Sequence, residues 1–277
     1  MNITLIANPA SGNYNKQLLD RCAEILRNRL GNVSVVYTTA PNEAGVIAGE
    51  LGKDMVIAAG GDGLINEIAA GLVGKNVLFS ALPFGTVNVF CREFKIPLNP
   101  VKAAERLNPD KLKTIPLGFL GDRPFTLMCG FGYDANVVKS VVTKKYKKYK
   151  TLAHIAEGFA SLKAKYPKLT LHIHGKTFPA YHVIISLGEL YAGNFSLSNA
   201  IKDNKLNIFV QPSGLTKSLV YSTFSIIVGG GFPMPPIHAD VAKIVGTNHA
   251  QIDGEYIDTN VMQNYIKIKK SALTVAL

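Results

Sequence analysis

Three glycines and one aspartate in the run Ala58-Ala59-Gly60-Gly61-Asp62-Gly63 have the makings of a phosphate site. The run stands where an apolar stretch, Met55 to Ala59, passes into a helical pattern over Gly63–Val73. Glycines let the main chain turn sharply and approach a ligand closely, and a helix amino terminus presents unpaired N–H groups with partial positive charge. Asp62 would repel a bare triphosphate, so its carboxylate fits best with a magnesium ion between it and the phosphates. The same aspartate could simply cap the helix, which needs no ligand.

A second acidic feature lies near the other end of the chain. In Gln251-Ile252-Asp253-Gly254-Glu255-Tyr256, strand alternation would set Asp253 and Glu255 on one face. Neighbouring carboxylates raise one another's pKa, so one could take a proton from a hydroxyl while the other stays charged. Those six residues read equally well as a hairpin turn built on Asp-Gly.

The elements that must position these groups come in two styles. Ile3 to Ala7, Val33 to Tyr37, Met55 to Ala59 and Val77 to Leu82 are short apolar runs, separated by helical patterns over Gln17–Leu30, Glu43–Leu51 and Gly63–Val73. That alternation predicts an α/β domain with a parallel sheet, residues 1–116. Ligands of such sheets bind beyond the carboxyl ends of the strands, where two more small-residue loops fall: Asn8-Pro9-Ala10-Ser11-Gly12 and Pro83-Phe84-Gly85-Thr86-Val87-Asn88. Neither is a Walker loop or a Gly-x-Gly-x-x-Gly fingerprint.

From about Leu117 the runs Phe125–Cys129, Lys168–His174, His182–Leu187, Leu206–Gln211, Ala242–Val245, Ala250–Ile252 and Tyr265–Ile268 predict strands joined by turns, with helices only near 150–165 and 214–228. This is the pattern of an antiparallel, sandwich-like second domain, residues 117–264.

With 47% apolar and 18% charged residues, the 277-residue chain has the composition of a compact globular protein. Cys22, Cys91 and Cys129 are too few and scattered for a disulfide framework and read as small buried apolar residues of a reducing compartment. The six histidines show no metal-ligand spacing. The first residues lack a secretory signal, and the longest apolar run, Leu219 to Val228, is about half a membrane span. A cytoplasmic protein, at most resting on a membrane, is expected.

Of the net charge of +11, residues 1–115 account for +2 and residues 116–277 for +9. Lys144, Lys145, Lys147 and Lys148 head a stretch from Lys139 to Lys168 with nine lysines and one acid, Glu157. Such a run is either a solvated loop or a patch drawn to an anionic membrane surface. No stacking platform or basic recognition helix accompanies it, so nucleic acid is not expected as a partner.

In order along the chain, the three loops, with Asn66-Glu67, Gly71-Leu72, Val89-Phe90 and Ile96-Pro97, then Gly130-Phe131-Gly132-Tyr133-Asp134-Ala135 and Ile252-Asp253-Gly254-Glu255, resemble the diacylglycerol kinase catalytic-domain family, which includes bacterial lipid kinases and the sphingosine kinases. The resemblance implies an amino-terminal nucleotide-binding domain, a β-rich lipid-binding domain, a cleft between them for ATP, and a carboxy-terminal segment, 265–277, that returns to the first domain. It implies transfer of the terminal phosphate of ATP, with magnesium, to a lipid hydroxyl, at the cytoplasmic face of a membrane. It carries nucleotide contacts onto Asn8, Pro9, Ala10, Ser11, Gly12, Thr38, Gly60, Gly61, Asp62, Gly63, Leu64, Ile65, Asn66 and Thr86. It favours Asp253 or Glu255 as general base, with Asp62 as the other candidate.

Departures from the pattern are local. Leu64 stands where many members have Thr, although the sphingosine kinase branch resembles this sequence in having Leu, and Val89 stands where many have Asp. Asp203-Asn204-Lys205-Leu206-Asn207 replaces an Asp-Gly-x-Leu-Asp run at which bacterial members hold a structural magnesium. By resemblance that ion would rest on the Asp203 carboxylate and the carbonyls of Ala200 and Lys205. A kinase of a soluble substrate, like the NAD kinases, and a non-catalytic lipid- or nucleotide-binding protein remain the alternatives.

Overall fold

The computed structural model describes residues 1–51, 54–143, 160, 166–191, 193–198, 200–214, 216–259 and 263–277. The chain divides into two compact units, Met1–Pro116 with Ser271–Leu277, and Leu117–Lys270.

The first unit contains β1 (Asn2–Ala7), α1 (Lys16–Leu30), β2 (Asn32–Tyr37), α2 (Glu43–Leu51), β3 (Met55–Gly60), α3 (Asp62–Leu72), β4 (Leu78–Pro83), α4 (Val89–Glu93) and α5 (Pro100–Arg106). Its strands pair in parallel in the order β2-β1-β3-β4. β3 is buried at every position and β1 at all but its first, whereas β2 at the sheet edge is exposed or half-buried throughout. Apolar side chains on both faces of the central strands need helices over both faces, which the crossover connections supply. The strand order changes direction between β1 and β3, and an open sheet splays its loops apart at such a point. Helix ends are closed by side chains: Asn15 Oδ1 accepts from Leu18 N at the start of α1, and Asn99 Oδ1 from Lys102 N at the start of α5. The Arg29 guanidinium, in the last turn of α1, donates to the carbonyls of Ala104 and Leu107 where α5 ends.

β5 (Leu112–Leu120) carries the chain into the second unit. There follow β6 (Arg123–Phe125), β7 (Met128–Gly132), α6 (Tyr133–Thr143), β8 (Leu169–Ile173), β9 (Lys176–Ala180), β10 (His182–Ser186), β11 (Leu190–Tyr191), β12 (Phe195–Ser196), β13 (Leu206–Gln211), α7 (Thr216–Ile227), β14 (Ile237–Ala239), β15 (Val241–Val245), β16 (His249–Ile252), β17 (Glu255–Asp258) and β18 (Gln263–Ala276). One antiparallel sheet runs β14-β13-β10-β7-β16-β17, and in the other β15 lies between β8 and the first half of β18. Phe131, Val183, Ile185, Ile208 and Ile252 of the first pack with Leu169, Leu171, Ile173, Ile244 and Ile266 of the second into one core, as a sandwich requires. The last residues of β18 belong to the first unit, where Thr274 and Val275 pair in parallel with Leu78 and Phe79 of β4.

Two expectations change. The single strand Phe125–Cys129 is two strands, because the N–H groups of Thr126, Leu127 and Met128 turn toward the Asp253 carboxylate. A helix, α6, follows β7 where none was expected, entered through Gly132 at φ 72°. The helix expected near 150–165 lies outside the described residues except for 160 and so does the run Lys144, Lys145, Lys147 and Lys148. All three cysteines are buried.

His182 is 4% exposed, with its ring 5.3 Å from that of Tyr133 and 6.2 Å from that of Phe232. Neither ring nitrogen has a hydrogen-bond partner among the described residues, and burial pushes the imidazole down to about 3 from 6.5. The unfolded chain binds a proton on this residue below pH 6.5 while the folded one does not, so stability falls as pH drops through that window. His182 by itself should cost roughly 2 kcal/mol between about pH 6.5 and 5, read as the difference between the denaturant melts of wild type and His182→Phe. His182→Phe should remove that part of the slope, and an unchanged slope would place the titration elsewhere.

Candidate active site

Three loops meet beyond the carboxyl ends of β1, β3 and β4. Asn8 N donates to Ala59 O (3.3 Å), and Asn8 Oδ1 accepts from Ala10 N (2.8 Å), which curls the first loop against the end of β3. Asn13 then reaches the third loop, donating from its backbone N to Phe84 O (2.9 Å) and from Nδ2 to Gly85 O (2.7 Å). The second and third loops touch backbone to backbone: a Cβ on Gly85 would lie 2.4 Å from Gly61 Cα. Only glycine allows that approach. Asn88, buried and left-handed at φ 53°, folds its amide back on the loop, accepting from Gly85 N (3.0 Å) and donating to Gly85 O (2.9 Å).

Asp62 joins the same two loops through charge. Its Oδ2 accepts from Val89 N (3.0 Å) and its Oδ1 from Phe90 N (2.9 Å), at the start of α4. Burial raises its carboxyl above the ordinary value, opposed by these two hydrogen bonds. The aspartate therefore caps a helix, but it is α4 and not its own α3, whose N-cap is Gly61 without a side-chain cap. Pro9, Ala10, Gly12 and Thr86 are exposed, Asn8, Ser11, Thr38, Gly61, Gly63 and Asn66 half-buried. Gly60 is buried beneath Leu64, whose Cδ2 would lie 2.4 Å from a Cβ on Gly60. Ile65 is fully buried and its N–H is spent on Gly61 O (3.1 Å), which makes it a packing residue.

The acidic pair departs from expectation. β16 ends at Ile252 and β17 begins at Glu255, with Ile252 paired to Glu255. Asp253 (φ 47°) and Gly254 (φ 84°) are the two left-handed residues of the tight turn between them, so Asp253 and Glu255 do not share a strand face. The Asp253 carboxylate accepts four hydrogen bonds: from Thr126 N (2.7 Å) and Oγ1 (2.9 Å) on Oδ2, and from Leu127 N (3.0 Å) and Met128 N (2.8 Å) on Oδ1. Burial pushes its carboxyl up to about 6 against those bonds, which favour the charged form. Glu255 is exposed. The turn is held from its other side by Gln251, whose Oε1 accepts from Gly254 N (2.8 Å) and whose Nε2 donates to Asp134 Oδ2 (2.7 Å). The Tyr191 hydroxyl donates to the other oxygen of Asp134, which is buried and raised in pKa by that burial.

The residues at the implied structural magnesium site do not fit an ion. Asp203 and Ala200 are exposed, and among the described residues no three His, Cys, Asp or Glu side chains cluster as metal ligands. The Lys205 carbonyl accepts from the Asn207 side-chain amide (3.1 Å), and the Lys205 ammonium pairs with Asp240 (2.9 Å). Asn204 takes the left-handed turn position at φ 55°, so the glycine of the family pattern is not needed for the bend.

Sequence reasoning assigned no role to Asn13, Asn88, Thr126, Gln251 or Asn207, all of which hold a loop or turn through a side-chain amide or hydroxyl. Their signal was position alone, a hydrogen-bonding residue within or facing a glycine-bearing segment.

Residues 2–120 match the model of the diacylglycerol kinase catalytic domain. The chain is 30% identical over 209 residues to the diacylglycerol kinase of Bacillus subtilis (strain 168), covering 71% of this chain and 65% of that one. It is 26% identical over 272 residues to the diacylglycerol kinase of Staphylococcus aureus (strain JH9), covering 91% and 85%. The chain spans less than two thirds of the length of several curated relatives, 39%, 61% and 65%. In fold it is similar to the crystal structure of a diacylglycerol kinase from Bacillus anthracis str. Sterne, with a TM-score of 0.82 at 20% identity over 99% of this chain and 96% of the other. By the match of residues 2–120 and by these relatives, the chain is similar to the diacylglycerol kinase catalytic-domain family.

Proposed function

We propose that this protein is a kinase that moves the terminal phosphate of magnesium-bound ATP onto the hydroxyl of a membrane lipid. The observation that carries the reading is the locking of three small-residue loops at the carboxyl edge of a parallel sheet. Phosphates would lie against the loop Asn8–Gly12, exposed at Pro9, Ala10 and Gly12, and the start of α3, with Thr38 and Thr86 at the margins. Magnesium would arrive with the nucleotide and neutralise phosphate charge, and Asp62 is the carboxylate of the cradle that could help to hold it.

In the transfer itself, the lipid hydroxyl oxygen bonds to the γ-phosphorus as the bond to the β–γ bridging oxygen breaks and ADP leaves. The hydroxyl proton goes to a carboxylate, for which Glu255 is the better candidate. It is exposed, whereas Asp253 is saturated by four donors and positions the turn. In this reading residues 1–116 bind the nucleotide and residues 117–264 the lipid. Helix α7 supports the second assignment: Val220, Tyr221, Phe224 and Val228 are exposed along and just beyond it, while Leu219, Ser222 and Ile226 are buried. An apolar helix face with the Lys144–Lys148 run in the same half of the chain suits an anionic lipid surface.

Labelled ATP offered with diacylglycerol, phosphatidylglycerol, a sphingoid base or NAD should label a lipid and leave NAD unlabelled; label on NAD alone would select the soluble-substrate alternative, and binding without turnover the non-catalytic one. Glu255→Gln should cut turnover about 10²–10⁴-fold with stability within about 0.5 kcal/mol of wild type. Asp253→Asn should instead lose about 2–3 kcal/mol of stability, since its new NH₂ must face backbone N–H groups. The reverse pattern would return the base to Asp253. Tyr221→Ser with Phe224→Ser should weaken flotation with anionic vesicles several-fold and leave ATP affinity unchanged. Equal flotation would leave the α7 face without a lipid role.

A further inference from the structure

Asn207 is fully buried in β13, between Ser186 of β10 on one side and His238 of β14 on the other. Its Nδ2 faces three carbonyl oxygens, those of Ser186 (3.2 Å), Lys202 (3.2 Å) and Lys205 (3.1 Å). Its Oδ1 accepts from Lys202 N (2.8 Å) and lies 3.0 Å from His238 Nδ1. The orientation of the amide is determined by chemistry: Lys202 N–H can only donate, so the oxygen must face it and the NH₂ must face the carbonyls. The same logic puts the proton of His238 on Nδ1. One side chain thus closes the loop 202–207 on itself and ties it to β10.

Three carbonyl oxygens converging on one point is the arrangement that a hard cation collects. Here the point is occupied by an amide donor, and the surroundings are already positive. Lys205 and Lys270 both pair with Asp240, and the His238 pKa is lowered by burial first and then by the charges of Lys202 and Lys205. A divalent ion would add charge where the Asp240 carboxylate is already paired with two lysines.

We infer that this chain dispenses with a structural cation at the 202–207 loop, and that the Asn207 amide holds the loop in its place by gathering the carbonyls of Ser186, Lys202 and Lys205, of which the Lys205 carbonyl alone belongs to the implied ion site. The inference concerns folding and does not rest on the proposed kinase activity. It makes Asn207 the residue that decides metal dependence. An aspartate at this position would point a carboxylate oxygen at three carbonyls and would need a cation to bridge them.

Thermal unfolding of the nucleotide-free protein, with EDTA or with millimolar Mg²⁺, separates the possibilities. Wild type should melt at the same temperature in both, and Mn²⁺ titrated into it should show no tight site by electron paramagnetic resonance. A rise of several degrees with Mg²⁺, or a tight Mn²⁺ site, would overturn the inference even if no variant folds. Asn207→Asp should melt about 5–10 °C lower in EDTA and regain most of that loss with Mg²⁺. An Asn207→Asp protein as stable as wild type in EDTA, or one that Mg²⁺ does not restore, would overturn the equivalence of amide and ion.

Discussion

The contact between Gly61 and Gly85 is the constraint on which the first unit's candidate site depends. With no side chain on either residue, the loops after β3 and β4 meet at backbone distance. From that approach follow the reach of Asp62 to Val89 N and Phe90 N and the bond from Asn13 to Gly85 O. A methyl group on Gly85 would have to displace backbone on the facing loop, and every one of these hydrogen bonds would lengthen together. The cradle is rigid because its parts share one contact, and a phosphate site gains from rigidity because its N–H groups need not reorganise when charge arrives.

The second unit uses buried polar groups to hold segments of chain against one another. Asp253 gathers the N–H groups of Thr126, Leu127 and Met128, Asn207 gathers three carbonyls, and Asp134 holds Gln251, which in turn holds Gly254. Each is the complement of the other: a carboxylate where donors converge, an amide NH₂ where acceptors converge. Buried groups satisfied in this way specify one arrangement of the chain, because any alternative leaves them unpaired at a cost of about 1–3 kcal/mol each. Glu255, next to a turn fixed from both sides, is exposed.

Much of this was legible in the amino-acid sequence, and the failures have physical causes. The parallel sheet could be read because buried central strands are continuous apolar runs, and the loops because glycines cluster at their ends. The split of β6 from β7 could not be read from local pattern, since it is caused by a carboxylate more than a hundred residues away. The short helix α5 announces itself as Asn99-Pro100, a cap followed by a favoured first residue, but its single buried face is too brief to show a period. For the acidic pair, alternation and the Asp-Gly turn signal competed, and the turn won because Asp253 gains four hydrogen bonds in it. The departures at Asn204 and Asn207 looked like losses in sequence; in three dimensions one is a left-handed turn residue and the other a donor with three acceptors.

The central claim, that three loops form one nucleotide site, is tested most directly by amide hydrogen exchange with and without magnesium-bound ATP. The account predicts slowed exchange in the segments around Asn8–Asn13, Gly61–Asn66 and Phe84–Phe90, all with the same nucleotide midpoint, and no change around Lys202–Asn207. Protection confined to one loop, midpoints that differ between loops, or protection only in the second unit would contradict it.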